Sequence, residues 1–171
     1  MSEREIEIQK LLAGLWTPIS MADLARIAEI SWGRTIGYLE DLENLGYVEN
    51  IGTKYTITDE GKSYYKTIMP IPDGMEFHFY TDINSYTDLS AKSVKDFIEF
   101  IWIIDEEAIK FHLNRGDFEQ WFINIFNEKD LADEIAKIDK NEKNGEVIRK
   151  KLLDVLDKKF GKYIDKESNK T

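Results

Sequence analysis

The sequence predicts a mainly α-helical protein in two parts: a small helical unit carrying one β-hairpin, and a larger helical bundle. Three observations lead there. Apolar residues recur at helical spacing over most of the chain. Two short β-branched and aromatic runs, Tyr47–Ile51 and Lys54–Thr58, flank Gly52-Thr53, the signature of a tight hairpin. Two of the three prolines fall in Met69-Pro70-Ile71-Pro72-Asp73-Gly74, which marks the boundary between the parts.

In the first part, Ile6, Ile8, Leu11, Leu12 and Leu15 stripe a helix over residues 3–15, which Gly14 and Trp16-Thr17-Pro18 end. Residues 17–19 read as a short extended segment. Ser20, with Asp23 three residues on, caps a second helix whose inner face holds Met21, Leu24, Ala25, Ile27 and Ala28. Ile30-Ser31 turns the chain, and Ser31 is placed to cap the third helix. There Ile36, Leu39, Leu42 and Leu45 form an inward stripe, and Gly46 suits the left-handed stop. After the hairpin, Thr58 caps a fourth helix that opens on Asp59 and Glu60 and runs to about Ile68.

Past the linker at 69–75, Glu76–Tyr80 reads as a short strand or extended aromatic anchor, and Thr81–Thr87 as polar turn. From Ser90 the chain reads helical. Ser90 or Ser93 caps a helix that is apolar nearly all round at its end, Phe100–Ile104. Asp105 caps the next, to about Asn114; Asp117 opens a third. Two further helices are expected at about 129–138 and 146–161, within a domain spanning 76–164, and a flexible tail at 165–171.

The order of small-residue helix, Ile30-Ser31, a helix ending Leu39-Glu40-Asp41-Leu42-Glu43-Asn44-Leu45-Gly46-Tyr47-Val48, a short hairpin and Tyr55-Thr56-Ile57-Thr58-Asp59-Glu60-Gly61 resembles the winged helix-turn-helix of prokaryotic transcription regulators. The resemblance covers residues 1–68 and implies a winged helix with a small hairpin wing, followed here by an α-helical bundle domain. It also implies DNA binding, with the third helix in the major groove. The same scaffold serves elsewhere as a protein-docking module, so fold alone does not assign the partner. Residues 76–160 are similar to an uncharacterised prokaryotic helical domain, on the motif Phe111-His112-Leu113-Asn114-Arg115-Gly116-Asp117-Phe118-Glu119-Gln120-Trp121. That resemblance implies a common fold and no activity.

Composition sets limits. The chain has 171 residues, no cysteine and a formal charge of −10. Disulfides, thiolate metal sites and cysteine nucleophiles are therefore excluded. No apolar run reaches the length of a membrane span, and the charged start Ser2-Glu3-Arg4-Glu5 is no secretory signal, so a cytoplasmic location is expected. Residues 1–68 carry seven Lys or Arg against eleven Asp or Glu, a net of −4. Phosphate neutralisation needs cations, so a single subunit would bind DNA weakly, and a homodimer reading two half-sites is expected.

The first third of the third helix is what reaches base edges in this architecture. Ser31, Trp32, Arg34, Thr35 and Tyr38 are thus the candidate DNA contacts, helped by Lys54 and Tyr55 at the hairpin. Trp32 has an equal claim to packing on the first helix. Glu40, Asp41 and Glu43 oppose phosphate along the second half of that helix. In the second part, His112, Arg115 and Asp117 form the dense polar cluster, either an anion pocket or an interhelical knot in which Asp117 caps its helix. The knot is the favoured reading, and His78 reads as packing. The two histidines match no metal-ligand spacing, and no phosphate loop or nucleophile elbow occurs, so neither metal, cofactor nor enzymatic activity is expected. The first expectation is a transcriptional regulator bound to double-stranded DNA; the alternative is an adaptor whose winged helix docks a protein.

Overall fold

The computed structural model describes residues 2–168, with side chains to Ile164. It is mainly helical, and the chain divides into two compact units, Met1–Met69 and Pro70–Thr171.

The first unit runs α1 (Glu3–Gly14), β1 (Ile19–Ser20), α2 (Met21–Ala28), α3 (Trp32–Asn44), β2 (Val48–Ile51), β3 (Lys54–Ile57) and α4 (Asp59–Ile68). Local chemistry sets each end. Ser2 and Glu5 form a reciprocal capping box on α1. Ser20 Oγ accepts the Asp23 N–H at the start of α2, and Thr58 Oγ1 accepts that of Gly61 at the start of α4. Ser31 stands at the cap position of α3, but its side chain makes no capping bond there. Glu29 ends α2 at φ 58°, and Gly46 and Gly52 turn the chain at φ 76° and 70°.

β1 adds to the hairpin, giving an antiparallel sheet in the order β1-β3-β2, with Ile19 opposite Tyr55 and Val48 opposite Ile57. The end of α1 is tied to this sheet where the Ile57 N–H donates to the Leu15 carbonyl at 2.9 Å. Leu11, Leu12, Leu15, Leu24, Leu39 and Leu42 fill the core, each burial worth roughly 1.5–3 kcal/mol. The inner stripe of α3 is Thr35, Leu39 and Leu42, whereas Ile36 is only half-buried. A true helical repeat of 3.6 residues selects 35, 39 and 42; the three-residue spacing of the leucines drifts off that face.

The second unit is not helical throughout. It opens with a hairpin of β4 (Phe77–Asp82) and β5 (Ser85–Ala91), then α5 (Val94–Ile103), α6 (Glu106–Arg115), α7 (Asp117–Phe126), α8 (Lys129–Ala136) and α9 (Gly145–Ser168). Of the polar stretch expected as turn, Ile83-Asn84 is the turn, Thr81-Asp82 ends β4 and Ser85-Tyr86-Thr87 opens β5. Phe77 and Phe79 are buried and His78 is exposed, so β4 alternates as a half-buried strand should. β5 is mostly polar, with Leu89 half-buried and Ala91 buried, and pairing holds it where pattern does not. The Asp82 carboxylate closes the turn by accepting from the Asn84 N–H and the Ser85 hydroxyl.

Ser93 and Asp105 cap α5 and α6 as expected. α9 passes through Gly161, where a Cβ would lie 2.0 Å from Oδ1 of Asp157. Residues 169–171 of the expected tail lie outside the described residues. The core is aromatic: Phe77, Phe97, Phe118, Trp121 and Phe122 pack at edge, tilted and stacked geometries, with Phe97 stacked on Trp121 at 5.1 Å. The indole N–H of Trp121 donates to the Met75 carbonyl.

Candidate docking face and polar knot

The expected DNA contacts on α3 divide into three groups. Ser31 and Trp32 are exposed, Trp32 by 52%. It stands free of the core. Thr35 is fully buried, and its hydroxyl donates to the Ser31 carbonyl at 3.0 Å. It cannot reach a base. The expectation failed because residue 35 lies one helical turn before Leu39 and shares its inward face.

Arg34 and Tyr38 make up the third group. One amino nitrogen of Arg34 lies 2.9 Å from a carboxylate oxygen of both Glu3 and Glu7, and the Tyr38 hydroxyl donates to Glu7 at 2.7 Å. Arg4 adds an ion pair to Asp41 at 2.8 Å and lies over the Tyr38 ring. Residues 3, 4 and 7 of α1 thus form one seam with 34, 38 and 41 of α3. The seam holds its charges: the Tyr38 hydrogen bond and Arg34 keep the Glu7 carboxyl below its ordinary range, and the two carboxylates raise Arg34. The Glu7 hydrogen bond in turn pushes the Tyr38 phenol up. Glu3 and Glu7, four apart on one helix face, were the sequence signal for this seam.

What α3 leaves open to solvent is Trp32, Gly33, Gly37, Glu40, Glu43 and Asn44, together with Arg34, whose side chain stays 50% exposed beside its two carboxylates. A Cβ on Gly33 or Gly37 would meet nothing within 4 Å. Ile27, at the end of α2, is 58% exposed, and Ile51 on β2 is exposed as well. The exposed, ion-paired Arg26 and Arg34 lie among these apolar and acidic side chains. At the hairpin, Lys54 is exposed, and Tyr55 is half-buried in the middle strand. The Ser20 hydroxyl, the bonded Arg26 and, least, the charge of Lys54 hold the Asp23 carboxyl below its ordinary range.

In the second unit, His112 is buried and both of its ring nitrogens are engaged. Nε2 lies 2.8 Å from the Tyr80 amide, which can only donate, so Nε2 is the acceptor. Nδ1 must then carry the proton, and it donates to Oδ2 of Asp117 at 2.8 Å. Arg115 Nε donates to the same oxygen at 3.0 Å, and its guanidinium lies over the Phe111 ring. Asp117 is the first residue of α7, with Gly116 before it at the cap position, so it pairs with Arg115 and His112 without capping the helix. The cluster is an interhelical knot joining β4, α6 and α7. A cleft of about 290 Å³ beside it is walled by Asp82 and Asp117 as well as Arg115, a poor setting for an anion.

The chain finds no match among protein-family models, curated proteins or solved structures. Among the described residues no group of His, Asp and Glu is arranged to hold a metal ion, and no helix is long and apolar enough to cross a membrane.

Proposed function

We propose that the first unit is a winged helix-turn-helix that docks a protein partner, and that the chain is a non-enzymatic adaptor of the cytoplasm. The observation that carries this reading is the state of Arg34. It is the one cation in the sequence of α3, and it is bonded to two carboxylates of α1. Besides that half-exposed guanidinium, α3 turns Trp32, Glu40 and Glu43 outward. Aromatic anchors beside bare backbone favour a protein surface, while carboxylates repel phosphate. The partner that fits has an apolar side chain for Trp32 and Ile27, flanked by Lys or Arg facing Glu40 and Glu43.

Anisotropy of a labelled mixed-sequence duplex at low salt tests the choice. The expected outcome is no saturable binding. A photo-crosslinker placed at position 32 should capture a discrete protein in cells, and Ile27→Ser should abolish the adduct. Saturable, salt-sensitive duplex binding would defeat the docking reading.

The second reading is a DNA-binding regulator acting as a homodimer. The order of helix, turn, helix and hairpin favours it, as does the exposure of Ser31, Trp32 and Lys54. On that reading Glu3 and Glu7 compete with phosphate for Arg34, so Glu3→Gln with Glu7→Gln should tighten duplex binding.

A further inference from the structure

We propose that the second unit is a self-association module in which two copies of this chain pair across the cleft between α5 and α9. The proposal is independent of how the first unit is used. It starts from Ile101-Trp102-Ile103-Ile104. Three successive helical residues point to well-separated sides of the axis and the extended Ile104 follows them, so one packing partner cannot bury them all. Ile101 and Ile104 are buried; Trp102 and Ile103 are left 65% and 71% exposed. Trp102 stands at the edge of a cleft of about 610 Å³, whose apolar lining includes Ile98, Leu153 and Ile164.

The edge is held rigidly. Arg149 of α9 donates to the Ile101 carbonyl at 2.5 Å and to the Ile104 carbonyl at 2.7 Å, while Glu146 holds its Nε. These bonds satisfy carbonyls that the end of α5 would otherwise leave bare. An exposed indole on this clamped stretch of backbone, next to an apolar cleft, gives one face both a knob and a hole. That is the requirement of an isologous two-fold contact.

Charge selects a second copy as the occupant. Lys150, Asp154 and Asp157 line the same cleft, all exposed, and none has an ion pair among the described residues. Of these three the cation comes first along α9 and the carboxylates follow. When two α9 helices cross antiparallel about Leu153, Lys150 of each falls opposite position 156 of the other. At about 1.5 Å rise per residue that is within reach of both Asp154 and Asp157. Gly161 contributes by leaving open the space into which the Asp157 carboxylate folds. Each Trp102 then enters the other copy's cleft as the desolvated anchor.

Sedimentation velocity of the full chain over a dilution series tests this. The wild type should be a dimer. Trp102→Asp should give a monomer with unchanged helical circular dichroism, since that side chain is outside the core. Lys150→Asp should weaken the dimer by about tenfold, the scale of one close interfacial charge pair. Adding Asp157→Lys to Lys150→Asp should restore it. A chain that stays monomeric at every concentration overturns the proposal, as does a dimer indifferent to Trp102→Asp. A monomer whose cleft takes up a different protein or a small molecule overturns it too.

Discussion

The backbone N–H of Tyr80 donates to Nε2 of His112 at 2.8 Å, which locks that imidazole as the neutral tautomer with its proton on Nδ1. A second proton on Nε2 would point at the Tyr80 amide, two donors face to face. Burial lowers the His112 ionisation from its ordinary value of 6.5, and the hydrogen bond to Asp117 offsets only part of this. The unfolded chain therefore takes up the proton first as pH falls through 6.5. Stability contributed by His112 is complete above that pH and declines below it. Urea midpoints measured on either side should show the decline, and His112→Leu should lose that portion of it. The same variant leaves the Tyr80 N–H unpaired and should cost about 1–3 kcal/mol at neutral pH. A neutral-pH midpoint equal to wild type would contradict the knot.

The seam between α1 and α3 predicts a titration. Because Tyr38 donates to Glu7, its phenol should ionise later than the ordinary tyrosine value of 10.0. In Glu7→Gln the Tyr38 resonance, followed by NMR with labelled tyrosine, should titrate earlier than in wild type. Glu7 itself is held below 4.5, so its share of the seam is present above that pH and is lost as pH falls through the lowered value. An unmoved Tyr38 curve would mean the bond does not persist in solution.

Gly61 lies where α4 crosses the start of β2. A Cβ there would stand 1.9 Å from the Tyr47 carbonyl oxygen and 2.7 Å from Ile57 Cγ1. Backbone cannot step aside as a flexible side chain would. Gly61→Ala should therefore destabilise the first unit by about 1–3 kcal/mol, against the usual gain from alanine in a helix. Denaturant unfolding of the variant decides the sign.

Arg149 is mostly buried and spends its donors on the end of α5. Arg149→Ala should strand the Ile101 and Ile104 carbonyls and lower stability by about 1–3 kcal/mol. Amide exchange in the last turn of α5 should quicken more than exchange in α6. Equal protection in both helices would show that the clamp carries no weight.

Much of the architecture was legible because local chemistry and final structure agree. Ser20, Thr58, Ser93 and Asp105 sit where caps were expected and make the capping bonds. The hairpin at Gly52-Thr53 follows from a turn residue that must adopt positive φ. The β4–β5 hairpin was half legible. Phe77 and Phe79 alternate, but β5 is polar, and only hydrogen bonding across to β4 makes Ser85–Ala91 a strand. At the candidate site, the inward turn of Thr35 is a matter of about one residue in helical phase, finer than a leucine spacing resolves.

Which segments are helices, where most of them start, and that α3 carries a single cation among three carboxylates can all be read along the chain. Those properties depend on residues a few positions apart. It takes the folded packing to bond this cation to Glu3 and Glu7, to make His112 a neutral acceptor for Tyr80, and to leave Trp102 outside the core. Each of these joins elements distant along the chain. Side-chain charge and apolarity can be read from one residue, but whether they are satisfied depends on the second element that packing brings up to meet them.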